Sequence, residues 1–162
     1  MDEEIDAAAT RVLALCRGRG WTVATAESCT GGLVSGALTG IAGSSDVVDR
    51  AFVTYSNAAK MAVLGVSAAT LEAHGAVSAE TAREMVAGLL RAAGTNLGVS
   101  ITGIAGPGGG SAEKPVGLVH FAAATRDGRL IERREVFAGE DRAGVRRLSV
   151  LAALAMLEQL AR

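Results

Sequence analysis

Four side chains able to do chemistry stand in a row at Glu27-Ser28-Cys29-Thr30, a carboxylate, a hydroxyl, a thiol and a second hydroxyl, with Gly31-Gly32 directly behind them. Trp21–Thr25 before them is a short β-branched run that reads as a buried strand, and Leu33–Leu38 after them has helical character. The polar group therefore occupies a strand-to-helix corner. At such a corner the first N–H groups of the helix have no internal partners and face any anion placed there, and paired glycines let a ligand approach the backbone closely. One reading makes Ser28 a nucleophile with backbone N–H groups around it. The other makes Ser28 or Thr30 the helix cap and leaves Gly31 and Gly32 to shape the turn.

A serine nucleophile needs a base, and the chain has two histidines, His74 and His120. His120 falls inside the apolar run Gly117–Ala124, and His74 precedes a glycine at a helix end, where a positively polarised side chain helps to cap. Lysine is the better partner, provided burial lowers its pKa toward neutrality, and Lys60 and Lys114 are the two lysines available. Gly31 stands three residues after Ser28, so the SxxK spacing is absent and a Ser–Lys pair must be assembled across the fold. Cys29 competes for the nucleophile's role, because a thiol at a helix N-terminus can have a lowered pKa.

The elements that must position these residues follow from hydrophobic period and punctuation. Ile5, Ala9, Val12, Leu13 and Cys16 share one face of a helix over residues 3–17, ending at Gly18 or Gly20, with Cys16 as a buried structural thiol. After the Ser28 corner, a helix is expected to stop near Thr39-Gly40, and residues 42–46 form a small-residue turn. Ala51–Tyr55 reads as a second strand. Ser56-Asn57 caps a helix running to Leu64-Gly65, so Tyr55 and Lys60 flank a second corner. A short helix over Val66–Ala76 and a longer one opened by Ser78 precede a third strand, Leu97–Thr102. That strand runs into Gly103–Gly110, whose five glycines and one proline require a loop. Val116–Thr125 and Leu130–Phe137 flank Asp127-Gly128 as an antiparallel hairpin. Asp141–Ala161 is a final helix, apolar over most of its circumference, which is either deeply buried or packed against a partner subunit. Alternation of helices and strands predicts one domain over 1–162, a layered α/β/α sandwich around a mixed, partly parallel sheet.

Composition excludes several classes of function. The 162 residues carry 16 Lys+Arg against 17 Asp+Glu, a net charge of -1 without the basic excess that a nucleic-acid backbone needs. Two cysteines without a CxxC partner make no zinc site. The acidic start, Met1-Asp-Glu-Glu, is not a secretory signal, and Val145–Leu160 is interrupted by Arg146, Arg147 and Glu158, so neither secretion nor membrane insertion is expected and the cytoplasm is the default.

Three strands thus end in polar corners, at Ser28, at Tyr55 with Lys60, and at Thr102 with the glycine loop. In open α/β sheets ligands bind outside the carboxyl ends of the strands, so the three corners are expected to line one pocket. The glycine loop is neither a GxxxxGK[ST] nor a first-turn GxGxxG motif, but its backbone N–H groups suit a phosphate.

AESCTGG (26–32), IAGSSDV (41–47), FVTYSNAAK (52–60), HGAVS (74–78), ITGIAGPGGG (101–110) and EKPVGLV (113–119), taken together, resemble the CinA C-terminal domain family over nearly the whole chain, in its stand-alone form. The resemblance implies hydrolysis of the carboxamide of nicotinamide mononucleotide to nicotinate mononucleotide and ammonia, a pyridine-nucleotide salvage step that needs no metal and no cofactor. It implies Ser28 as nucleophile, with Lys60 and Tyr55 activating it or relaying protons. It implies substrate contacts from Cys29, Thr30, Gly31, Gly32, Thr102, Gly103, Ala105, Gly106 and Arg142. In the last motif one extra residue, Glu140, separates Gly139 from Asp141-Arg142, which leaves Arg146 as the substitute for Arg142. Backbone N–H groups from Cys29 to Gly31 are the candidate oxyanion hole. The expected partner is a small nucleotide, with no nucleic acid and no membrane, and the protein is expected to be a homo-oligomer, a dimer or higher. The alternative function is a phosphate-binding module without catalysis.

Overall fold

The computed structural model describes residues 2–162. Five strands form one sheet in the order β2-β1-β3-β4-β5, with β1 at Val23–Glu27, β2 at Val48–Val53, β3 at Leu97–Gly103, β4 at Leu118–Thr125 and β5 at Leu130–Val136. β1 runs parallel to both β2 and β3, while β4 and β5 are antiparallel additions, so the sheet is mixed as expected.

Helices cover both faces. α1 (Glu3–Arg19), α2 (Leu33–Thr39) and α6 (Arg142–Ala161) lie on one side, and α3 (Asn57–Leu64), α4 (Ala68–His74) and α5 (Ala79–Ala93) on the other. The larger core joins Val12, Leu13 and Cys16 of α1 to Leu154 and Leu157 of α6 over Val99 and Phe121 of the sheet. The second face packs Met85 and Leu89 of α5 on Ala24, Ala26 and Leu64. That face depends on one glycine, because a Cβ at Gly88 would run into the Leu64 carbonyl, so only glycine lets α5 approach α3 this closely.

Caps set the boundaries. Asp2 accepts hydrogen bonds from the Glu4 and Ile5 amides to start α1, and Gly20 ends it at a left-handed φ of 67°. Ser56, Ser67, Ser78 and Asp141 start α3, α4, α5 and α6 in the same way. Most of the apolar circumference of α6 is covered within the chain: Val145, Val150, Ala153, Leu154, Leu157 and Leu160 are buried against α1, α2 and the sheet, while Leu148 and Leu151 are partly buried beside Arg11 and Phe137. No helix of the described residues is long and apolar enough to cross a membrane.

Two strands sit differently from their sequence reading. β1 starts two residues later than Trp21, because the Trp21 ring packs under the Arg19 guanidinium at 4.6 Å and its amide closes α1 by donating to the Cys16 carbonyl. The shift carries Glu27 into the sheet, where it pairs with Val53 and Ile101. β2 begins three residues earlier than Ala51 and ends at Val53, which frees Thr54 and Tyr55 to turn toward Ser56, the α3 cap.

Candidate active site

The carboxyl ends of β1, β2 and β3 meet at one cavity of about 170 Å³, lined by Ser28, Cys29, Tyr55, Lys60, Ala76, Val77, Thr102, Gly103, Ala105 and Arg142. A shallower groove of about 490 Å³ continues from it past Ala105 and Arg142 to Pro107, Val116, Glu140, Asp141 and Arg146. The three corners expected to share a pocket do share one.

At its base Lys60 Nζ lies 3.1 Å from Ser28 Oγ and donates to the Thr54 carbonyl at 2.9 Å. The sequence assembles this pair from two turns: Ser28 is the first residue past β1, and Lys60 is on the first turn of α3, which Ser56 caps. Ser28 is 7% exposed and Lys60 only 1%. No carboxylate of the described residues forms an ion pair with Lys60, and burial pushes its pKa below the ordinary 10.5, because the ammonium loses its water. An amine so placed can take the Ser28 proton.

Cys29 is set up differently. Burial raises its thiol to about 11, the opposite of what a helix N-terminus would do to an open thiol, so it stays protonated at neutral pH. Its Sγ belongs to the core, packed with the α1 and α6 side. The histidines are elsewhere: His74 is half-exposed and faces Glu80 at 3.7 Å, and His120 pairs across β4 and β5 with Arg134.

The N-terminus of α2 corrects the capping expectation. Its N-cap is Gly32, which has no side chain, and neither Ser28 nor Thr30 caps the helix. Glu27, fully buried, does so from the strand: Oε1 accepts from Thr30 Oγ1 (2.7 Å), Gly32 N–H (3.1 Å) and Val34 N–H (2.9 Å), and Oε2 from Thr25 Oγ1 (3.0 Å) and Ser35 N–H (2.9 Å). The protein's own carboxylate thus fills the end of α2 that was expected to face a bound anion. Glu27→Gln keeps the shape but turns one accepting oxygen into a donor. Either orientation of the amide then faces a buried N–H with N–H, a mismatch that costs about 3 kcal/mol and lowers Tm by roughly 6–12 °C for a domain this size. Thermal unfolding of the variant checks this; an unchanged Tm would show that the five donors do not depend on the charge.

The oxyanion candidates narrow as well. Gly31 N–H is committed to the Ser28 carbonyl at 3.0 Å and Gly32 N–H to Glu27. Among the described residues, Cys29 and Thr30 N–H are the two amides of the turn that donate to no other residue.

The remaining expected residues are distributed around the rim. Tyr55 is exposed, and its hydroxyl accepts from Arg142 Nη2 at 3.1 Å instead of bonding to Ser28 or Lys60. Arg142 is the first residue of α6 and also donates to the Gly106 carbonyl at 2.8 Å, so the extra Glu140 does not displace it from the cavity. Arg146, one turn on, reaches the carbonyls of Cys29 (3.1 Å) and Thr30 (3.4 Å). Thr102 is buried and donates to the Ala76 carbonyl at 2.7 Å. Gly103 and Gly106 pack where a Cβ would strike Val119 and Val116. Among the described residues no three His, Cys, Asp or Glu side chains converge in a way that would hold a metal ion. Sequence reasoning missed Glu27 as the cap, and it named Arg146 as the substitute for Arg142 without its contacts to the Ser28 turn.

Residues 5–161 match the CinA C-terminal domain family. A protein of Escherichia coli (strain K12) named nicotinamide-nucleotide amidohydrolase PncC is 52% identical over 158 residues, covering 98% of this chain and 95% of that protein. A protein of the same name from Enterobacter agglomerans is 57% identical over 133 residues, 82% of this chain and 80% of that one. The crystal structure of competence/damage inducible protein CihA from Agrobacterium tumefaciens is 50% identical, with a TM-score of 0.97 over 98% of this chain and 96% of that chain.

Proposed function

The chain belongs to the CinA C-terminal domain family, and from that premise we propose that this amidohydrolase cleaves the carboxamide of nicotinamide mononucleotide through Ser28, giving nicotinate mononucleotide and ammonia. The observation that carries the proposal is a solvent-sealed amine without an acidic partner, Lys60, held 3.1 Å from a serine hydroxyl at the floor of a cavity. The name shared by the relatives in Escherichia coli and Enterobacter agglomerans supplies the substrate class.

The reaction is an acyl transfer in two halves. With Lys60 neutral, Ser28 O–H donates to the Nζ lone pair. Oγ then bonds to the amide carbon while its proton passes to Nζ. The tetrahedral oxyanion that forms is met by backbone N–H groups. It collapses with loss of the C–N bond, and Lys60 returns the proton to the departing nitrogen, which leaves as ammonia. Water repeats the sequence on the Ser28 ester: it gives its proton to Lys60, bonds to the acyl carbon, and Oγ leaves and takes the proton back. The pyridine amide occupies the smaller cavity, and the ribose phosphate runs out along the groove past Arg142. Tyr55, tied to that guanidinium, fixes its direction and relays no proton in this reading.

A small nucleotide suits a chain of net charge -1 better than a nucleic acid does. The same reading places the protein in the cytoplasm, in pyridine-nucleotide salvage, as a homo-oligomer. Ammonia release from nicotinamide mononucleotide, nicotinamide riboside and free nicotinamide tests it. Release is expected from the mononucleotide, with kcat/KM lower by about 10²-fold or more for substrates lacking the phosphate, whose charge-assisted contact is then missing. No release from the mononucleotide, or equal kcat/KM on free nicotinamide, would contradict the proposal.

A further inference from the structure

We propose that Arg146 is a positioning residue that builds the oxyanion hole, by holding the carbonyls of the nucleophile turn so that the Cys29 and Thr30 N–H groups stay free beside Ser28. The inference rests on the Ser28 acyl-transfer reading and assigns the residue that shapes its electrostatic half.

In a trans peptide the C=O and the N–H point in opposite directions, so fixing the carbonyl aims the amide. Arg146 Nε donates to the Cys29 carbonyl at 3.1 Å, which directs the Thr30 N–H of the same peptide away from the guanidinium. Arg146 Nη2 reaches the Thr30 carbonyl at 3.4 Å, and the Gly31 N–H of that peptide points back to the Ser28 carbonyl, to which it donates at 3.0 Å. The Ser28 carbonyl being held by the Gly31 N–H, the peptide that carries the Cys29 N–H is fixed as well. The guanidinium thus holds two consecutive carbonyls, the second together with the Leu33 N–H at 3.0 Å, the Gly31 N–H holds the Ser28 carbonyl before them, and the Cys29 and Thr30 N–H groups of this turn donate to no other residue.

Gly31 makes this possible. Its φ of 57° lies in the left-handed region, and a Cβ there would sit 3.2 Å from Arg146 Nη2, so a side chain would strain the turn and crowd the guanidinium. Among the described residues Arg146 forms no ion pair with a carboxylate, so its positive charge stands uncompensated next to the site where negative charge develops. Arg142, by contrast, points at the cavity mouth, where it holds Gly106 and Tyr55. Arg142 and Arg146 therefore divide the work, Arg142 toward the nucleotide and Arg146 toward the turn.

Steady-state ammonia release from nicotinamide mononucleotide by the full chain, its Arg146→Ala and Arg146→Lys variants and Ser28→Ala tests this, with Tm measured for each. Loss of alignment at oxyanion donors is expected to lower kcat about 10–100-fold in Arg146→Ala while KM stays within about twofold. Lysine, a point charge that cannot grip two carbonyls, is expected to fall between the two. Millimolar guanidinium added to Arg146→Ala is expected to restore part of kcat, and methylammonium is not. The inference is overturned if KM rises with kcat retained, which would make Arg146 a phosphate contact. It is also overturned if both constants are unchanged, or if kcat falls together with Tm and guanidinium restores nothing. A parent protein that releases no ammonia, or a Ser28→Ala protein that still does, overturns the acyl-transfer reading and this inference with it, and is told apart by those controls.

Discussion

Ser28→Ala is expected to lower kcat for ammonia release by a factor on the order of 10⁴–10⁶, the scale on which removal of an activated nucleophile acts, and to leave nicotinate mononucleotide binding within about twofold. The reason is local. Ser28 Oγ has one side-chain partner, Lys60, and Lys60 keeps its second bond, to the Thr54 carbonyl, when the hydroxyl is gone. Nothing else in the cavity moves, and Arg142 still faces the groove. Cys29→Ala is the matched control. Its thiol is buried and raised to about 11, so removing it takes away packing and no nucleophile, and turnover should survive. Assays of kcat alongside calorimetric binding of the product separate the two; full activity in Ser28→Ala, or none in a folded Cys29→Ala, would reverse the assignment.

Lys60→Met is expected to cost about 10²–10⁴ in kcat/KM, the usual range for a general base, without lowering Tm. The sign of the pH dependence follows from the direction of the Lys60 shift. Burial favours the neutral amine, so the pKa lies below 10.5, and the neutral form is the base. The kcat/KM of the parent therefore rises with pH up to that lowered value and levels off above it, and the methionine variant loses the rise. Stability runs by the same linkage. Between the lowered value and 10.5 the unfolded chain holds the proton and the folded chain does not, so stability increases with pH across that window. Below the window the folded chain bears the cost of a desolvated ammonium, which methionine removes, offsetting the Thr54 carbonyl that loses its Nζ–H donor. A variant that is inactive and at least as stable as the parent marks Lys60 as a catalytic group; a variant that is inactive because it unfolds at lower temperature would mark it as structural.

The path from sequence to site was open where chemistry is scarce. With two lysines and two histidines in the chain, the candidates for a base beside Ser28 are few in the sequence itself, and both histidines do lie away from the cavity. The serines that start α3 and α5 are readable because a cap acts within three residues of its own position, whereas Ser67 lies inside the segment expected to be helix and caps α4 one residue later. Glu27 escaped notice because it caps α2 from five to eight residues away, with its backbone still in β1. The signal available was indirect: the residue before Leu33 is glycine, which offers no side chain, so the helix end had to be satisfied by another group, and Glu27 is the nearest carboxylate. Arg146 is named in the sequence only as a substitute for Arg142, and its contacts to the Ser28 turn lie beyond sequence reasoning, since they span 116 and 117 residues. The helix it belongs to announces burial through its apolar circumference, but which of its residues meet α1, α2 and the sheet depends on how the layers stack. The two-residue shift of β1 has the same origin, a stacking contact between Trp21 and Arg19 that outweighs β propensity.

The most direct test of the account is whether the acyl group is carried on Ser28. Enzyme in excess over nicotinamide mononucleotide, acid-quenched through the first turnover and digested, should yield a peptide containing Ser28 with the mass of the nicotinate mononucleotide ester. The ester should be absent from the Ser28→Ala protein. The same adduct mapped to Cys29, or ammonia released at the parent rate by Ser28→Ala, would contradict it.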